Sequence, residues 1–152
     1  MNAHLTQRAA DVLLISGDME TLADTRSSLQ RAKIYNRLHH VGDATEARAY
    51  MKREGPYLHA PTPALVLLDT ELPGDSAREL IADLKSDPQF SGIAVILLTG
   101  SQTDSHVVES CAHMPDGQIR KPFYMPDLLD ALAEVETLAV LVVQSTSAPA
   151  FR

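Results

Sequence analysis

The chain has 152 residues, 45% hydrophobic and 22% charged, with a formal net charge of −7, which is the size and composition of one globular domain burying about two-thirds of its unfolded surface. Thirteen Lys and Arg residues are scattered along this acidic chain, which argues against a nucleic-acid surface, and a single cysteine, Cys111, excludes an internal disulfide or a multi-thiolate zinc site and fits a reducing cytoplasm. No run reaches the roughly 20 apolar residues needed to span a bilayer, and Arg8 and Asp11 stand where a signal peptide needs an apolar core, so neither export nor membrane insertion is expected.

Val12-Leu13-Leu14-Ile15, stopped by Ser16-Gly17-Asp18, reads as a strand covered on both faces. Leu22, Ala23 and Leu29 recur at helical spacing between Glu20 and Ala32, and a weaker extended segment follows from Arg37 to Val41. Asp43 is placed to cap a helix running through Arg53. Gly55, Pro56, Pro61 and Pro63 crowd the next segment, which predicts an irregular loop from Glu54 to Pro63.

Ala64 to Leu68 is the most apolar run of strand length and ends abruptly at Asp69, so it is the expected central strand. Asp75 or Ser76 caps the following helix, whose Leu80, Ile81 and Leu84 form a stripe before Asp87-Pro88 ends it. Ile93 to Leu98 forms another strand stopped by Thr99-Gly100, Asp104 to Ala112 a modest helix, and Gln118 to Arg120 a brief fifth strand running into Lys121-Pro122. Met125 to Glu136 closes the alternation as an amphipathic helix with Leu128, Leu129, Leu132 and Val135 on one face. This alternation predicts an α/β fold, a doubly wound five-stranded parallel sheet whose chemistry collects at the carboxyl ends of the strands.

Three of those strands end in Asp69, Thr99 and Lys121. A carboxylate, a hydroxyl and an ammonium on one sheet edge suit transfer of a phosphoryl group onto the carboxylate. The hydroxyl hydrogen-bonds a phosphoryl oxygen and the ammonium offsets its charge. Each residue alone also reads as a turn former leaving a strand; the conjunction carries the reading. The six histidines show no metal-ligand spacing and are read as surface or loop residues.

Leu68-Asp69-Thr70-Glu71-Leu72-Pro73-Gly74, Leu97-Leu98-Thr99-Gly100 and Arg120-Lys121-Pro122-Phe123, in that order, resemble the receiver domain of bacterial response regulators across residues 10–136. The segments Tyr50 to Tyr57 and Ile81 to Pro88 further resemble the single-domain regulators linked to bacterial phytochromes. The resemblance implies a flavodoxin-like receiver fold over residues 1–136, a sensor histidine kinase of the phytochrome type as partner, Asp69 as phosphoacceptor, Thr99 as switch hydroxyl, and Lys121 as the charge-offsetting lysine followed by a cis proline, Pro122. It implies a signalling phosphoacceptor, at most self-phosphorylating and self-dephosphorylating, in place of an enzyme acting on a separate substrate.

The chain departs from that pattern at the acidic pair that holds Mg²⁺ in the family, where Ser16 and Gly17 stand instead. The metal site is therefore expected to be degenerate, with Asp69 and two stand-in carboxylates, Asp18 and Glu71, as the remaining candidates; the plainer alternative is that Asp18 caps a helix and Glu71 is solvated. Gln118 stands where many receivers carry a switch aromatic. Residues 137–152 form an additional arm and tail, and the apolar run Leu138 to Val143 is read either as a helix extension or as a strand pairing with a second copy, the resemblance favouring a homodimer. No output domain follows in this sequence, so binding is the expected readout. The competing function is a phosphorylation-independent pseudo-receiver acting as a dimeric interaction scaffold.

Overall fold

A computed structural model describes residues 11–31, 36–100, 115–122 and 125–132. Five strands, β1 (Val12–Ile15), β2 (Leu38–Val41), β3 (Leu65–Asp69), β4 (Ala94–Thr99) and β5 (Gly117–Arg120), form one sheet in the order β2-β1-β3-β4-β5. Every pairing is parallel. The helices are α1 (Met19–Arg31), α2 (Ala44–Lys52), α3 (Ser76–Ser86) and α4 (Met125–Leu132). The expected helix at Asp104 to Ala112, the last turn of the terminal helix and the arm lie outside the described residues.

The period-two geometry of a strand explains why β1, β3 and β4 are apolar throughout. Leu13, Ile15, Val66, Leu68, Val95 and Leu97 point into one core, where Ala47 and Met51 of α2 and Ala77, Leu80, Ile81 and Leu84 of α3 meet them. Val12, Leu14, Leu65, Leu67, Ile96 and Leu98 point the other way, against Leu22 and Leu29 of α1 and Leu128 of α4. Both faces are covered, so no strand residue in the centre of the sheet has a solvent side on which a polar residue would be tolerated.

Asp43 caps α2 as expected, its carboxylate accepting the Glu46 N–H at 2.8 Å, while Glu46 reaches back to accept the Gly42 N–H at 2.6 Å. The helix ends on Arg53, a left-handed residue at φ 59°. The predicted irregular loop needs a correction: it contains a short 3-10 turn, Gly55–Tyr57. Pro56 at its start supplies a preset φ, and the Arg53 guanidinium donates to the Ala60 carbonyl and the Thr62 hydroxyl at 3.0 and 2.7 Å, bracing the segment. Asp75 is the residue before α3, but its carboxylate pairs with Arg78 at 2.7 Å and makes no cap hydrogen bond. Lys85 at the far end of α3 pairs with Asp116 at 2.7 Å, and Asp116 also accepts the Val95 N–H, joining α3, β4 and the entry to β5.

His39 and His40 are the second correction. They lie on strand β2, half-buried, because the edge strand's side chains reach neighbouring polar groups: His39 Nε2 is 2.9 Å from buried Asp11, which also pairs with Arg37, and His40 Nε2 is 2.7 Å from the Ser16 carbonyl. His59 is exposed; His4, His106, His113 and Cys111 lie outside the described residues.

Tyr50 of α2 is 4% exposed, and its hydroxyl has no hydrogen-bond partner among the described residues. Burial, with the negative charge of Asp11, pushes its pKa up to about 12 from 10.0. The neutral phenol is thus favoured by the fold, so stability is unaffected below pH 10 and falls as the unfolded chain ionises between 10 and 12. The expected loss is about 2–3 kcal/mol over that window. Urea denaturation should show a fall about 2–3 kcal/mol larger in the native protein than in Tyr50→Phe, where Lys121, whose ammonium is also held above its usual value, still contributes. At neutral pH Tyr50→Phe should be no less stable, because a buried hydroxyl with no partner among the described residues is removed.

Candidate functional site

Parallel register assembles the site. Ile15 stands beside Leu68 and Asp69 beside Leu98, so the first residue after β1, Ser16, comes level with Asp69, while Thr99 stands beside Arg120 and brings Lys121 to the same edge. The Lys121 N–H donates to the Thr99 carbonyl at 2.7 Å, and the Lys121–Pro122 peptide bond is cis, as the sequence resemblance implied.

Asp69 is 2% exposed, and among the described residues three donors hold its carboxylate. Lys121 Nζ lies 2.9 Å from Oδ1, the Glu71 N–H donates to the same oxygen at 2.9 Å, and the Ser16 hydroxyl donates to Oδ2 at 2.7 Å. A buried carboxylate requires such satisfaction, since an unpaired charge at this depth would be strongly disfavoured. Lys121, 12% exposed along its side chain, also pairs with Glu71 Oε1 at 2.8 Å. Burial pulls its pKa down, but hydrogen bonds and charge from Glu71 and Asp69 outweigh that and hold the ammonium above its usual value.

Of the sequence-predicted residues, Asp69, Lys121 and Glu71 come together. Thr99 shares their edge, but its hydroxyl donates to the Ile119 carbonyl at 3.3 Å, on the β5 side. Asp18 is spent on α1: its carboxylate oxygens accept the Glu20 N–H at 3.0 Å and the Thr21 hydroxyl at 2.9 Å. Those two bonds, Thr21 first, with a smaller contribution from the Lys121 charge, hold its carboxyl below the usual range. Gln118 is exposed on β5.

Ser16 was missed as a participant, because it registered in the sequence only as a lost acid. Its hydroxyl donates to Asp69 while accepting the Asp18 N–H at 3.1 Å, and it is fully buried. The strand-end position it shares with Asp69 was the available signal. Gly17 also has a packing reason: a Cβ there would lie 3.2 Å from the Gly42 carbonyl oxygen, in the turn that the α2 capping bonds hold.

These side chains do not fit a Mg²⁺ site built on acidic oxygens. Ser16 presents a proton to Asp69, Gly17 presents nothing, Asp18 accepts the helix-capping bonds of α1, and the half-exposed Glu71 carboxylate faces the Lys121 ammonium. Among the described residues no three His, Cys, Asp or Glu side chains converge, and no helix is long and apolar enough to cross a membrane.

Known proteins resemble this chain in sequence and fold. The response regulator Rcp1 of Synechocystis sp. is 27% identical over 126 residues, covering 83% of this chain and 86% of that protein. The solved structure of the bacteriophytochrome response regulator RtBRR is 30% identical, covers 86% of this chain and 80% of its own, and superposes with a TM-score of 0.76. The phosphorylated cyanobacterial phytochrome response regulator RcpA is 28% identical, covers 81% of this chain and 88% of its own, with a TM-score of 0.66. The sequence model of the response regulator receiver domain matches residues 12–133, and with the parallel five-stranded sheet and the Asp69–Lys121 pair at its carboxyl edge, the chain belongs to the response regulator receiver domain family.

Proposed function

We propose that this receiver takes a phosphoryl group onto Asp69 from the phosphohistidine of a phytochrome-type histidine kinase. The observation that carries the reading is the buried Asp69 carboxylate in contact with Lys121 at the sheet's carboxyl edge, on a chain whose relatives include phytochrome response regulators. Among the described residues Oδ1 accepts two hydrogen bonds and Oδ2 one, so Oδ2 is the less occupied oxygen. Attack by Oδ2 on phosphorus forms the acyl phosphate as the P–N bond breaks, and the histidine nitrogen leaves with the electron pair. Lys121 offsets the charge on the phosphoryl oxygens, and Thr99, by rotating from the Ile119 carbonyl, supplies a hydroxyl to one of them.

The test is transfer of label from a phosphorylated phytochrome kinase to the native chain, with Asp69→Asn as control. The phosphorylation-independent scaffold is the second reading, favoured by the absent acidic pair and the Ser16 bond to Asp69; a native chain that accepts label from no kinase would establish it. A homodimer formed through residues 137–152 is part of the same proposal. Truncation after Glu136 is expected to halve the mass read by light scattering, and an unchanged dimer mass would remove the arm from the account.

A further inference from the structure

Resting on Asp69 as acceptor, we infer that Glu71 is a positioning residue that competes with the incoming phosphoryl group for Lys121 and so limits how readily the site is loaded. One ammonium faces two carboxylates: Lys121 Nζ is 2.9 Å from Asp69 and 2.8 Å from Glu71. A phosphoryl group on Asp69 carries about two negative charges in place of the carboxylate's one, so the site gains about one beside that single cation, and the described side chains around it offer no second cation at hydrogen-bond distance. Two of the three ammonium protons of Lys121 are spent on the two carboxylates, so the phosphoryl oxygens share its charge with Glu71 until that contact is released. Asp69 cannot leave, being 3% exposed along its side chain, while Glu71, at 48%, is half in water and loses little on release. Its backbone N–H, already on Asp69, stays in place. The carboxylate that is freed still lies near the phosphoryl group and repels it.

The experiment follows uptake from acetyl phosphate by the full chain, a small donor that removes any contact between Glu71 and a kinase. Glu71→Gln, which keeps an oxygen acceptor for Lys121 and removes the charge, is expected to load about three- to fivefold faster than the native chain. Glu71→Asp, which keeps the charge, should load at the native rate. The Gln advantage should shrink as ionic strength rises, because a half-exposed charge is screened; a structural effect of the side chain would not respond in this way. Loading of Glu71→Gln at or below the native rate, in a native chain that does load, overturns the role of Glu71 alone. Absence of uptake by all three proteins overturns the acceptor reading and this inference with it.

Discussion

Asp69→Asn is expected to accept no phosphoryl group from a phosphorylated kinase or from acetyl phosphate, while retaining its fold. The amide oxygen introduced by this substitution is too weak a nucleophile to form the acyl phosphate, yet it can still accept the Ser16 hydroxyl that now meets Oδ2 at 2.7 Å. Lys121 keeps Glu71 at 2.8 Å, so the ammonium is not stranded. The stability change should be about 1 kcal/mol, the size of one altered hydrogen bond, and urea denaturation alongside the transfer assay separates lost chemistry from lost structure. Label on the Asp69→Asn protein equal to the native level would place the acceptor elsewhere.

Lys121→Met carries the second large effect, and it falls on stability as well as transfer. Removing the ammonium leaves the Asp69 carboxylate buried with, among the described residues, the Ser16 hydroxyl and the Glu71 N–H, and breaking a buried pair from one side destabilises by about 3 kcal/mol. Transfer should fall roughly a hundredfold, as when one preorganised charge-stabilising donor is lost. The double variant Asp69→Asn with Lys121→Met removes both charges and should recover most of the lost stability without recovering transfer. A Lys121→Met protein as stable as the native one would mean that the pair is not desolvated as its geometry indicates.

The fold was legible because continuous apolar runs have few alternatives. Val12 to Ile15, Ala64 to Leu68 and Ile93 to Leu98 are too short for core helices and too apolar for one-sided strands, and all three lie in the centre of the sheet. The site was half legible. Asp69 and Lys121 sit at strand ends, where a parallel sheet gathers its chemistry, so their meeting followed from element order. What Ser16, Asp18 and Glu71 do depends on strand register and on which donor reaches each oxygen first, neither of which local sequence encodes. Local sequence leaves Asp18 open to a metal-ligand or a helix-cap role, and in the structure its two oxygens accept the Glu20 N–H and the Thr21 hydroxyl. Arg53 escaped notice because its left-handed conformation and its bonds to Ala60 and Thr62 arise from the loop's closure onto it. The half-buried setting of His39 and His40 on β2 is not legible locally, because their partners, Asp11 and the Ser16 carbonyl, flank β1.

The most direct test of the central claim is to expose the native chain to a phosphorylated phytochrome kinase, trap the acyl phosphate by borohydride reduction, and map the modified residue by mass spectrometry. The account predicts modification at Asp69 and at no other carboxylate. Modification at Asp18, Glu71 or any other residue in its place, or none after exposure to every kinase offered, would contradict it.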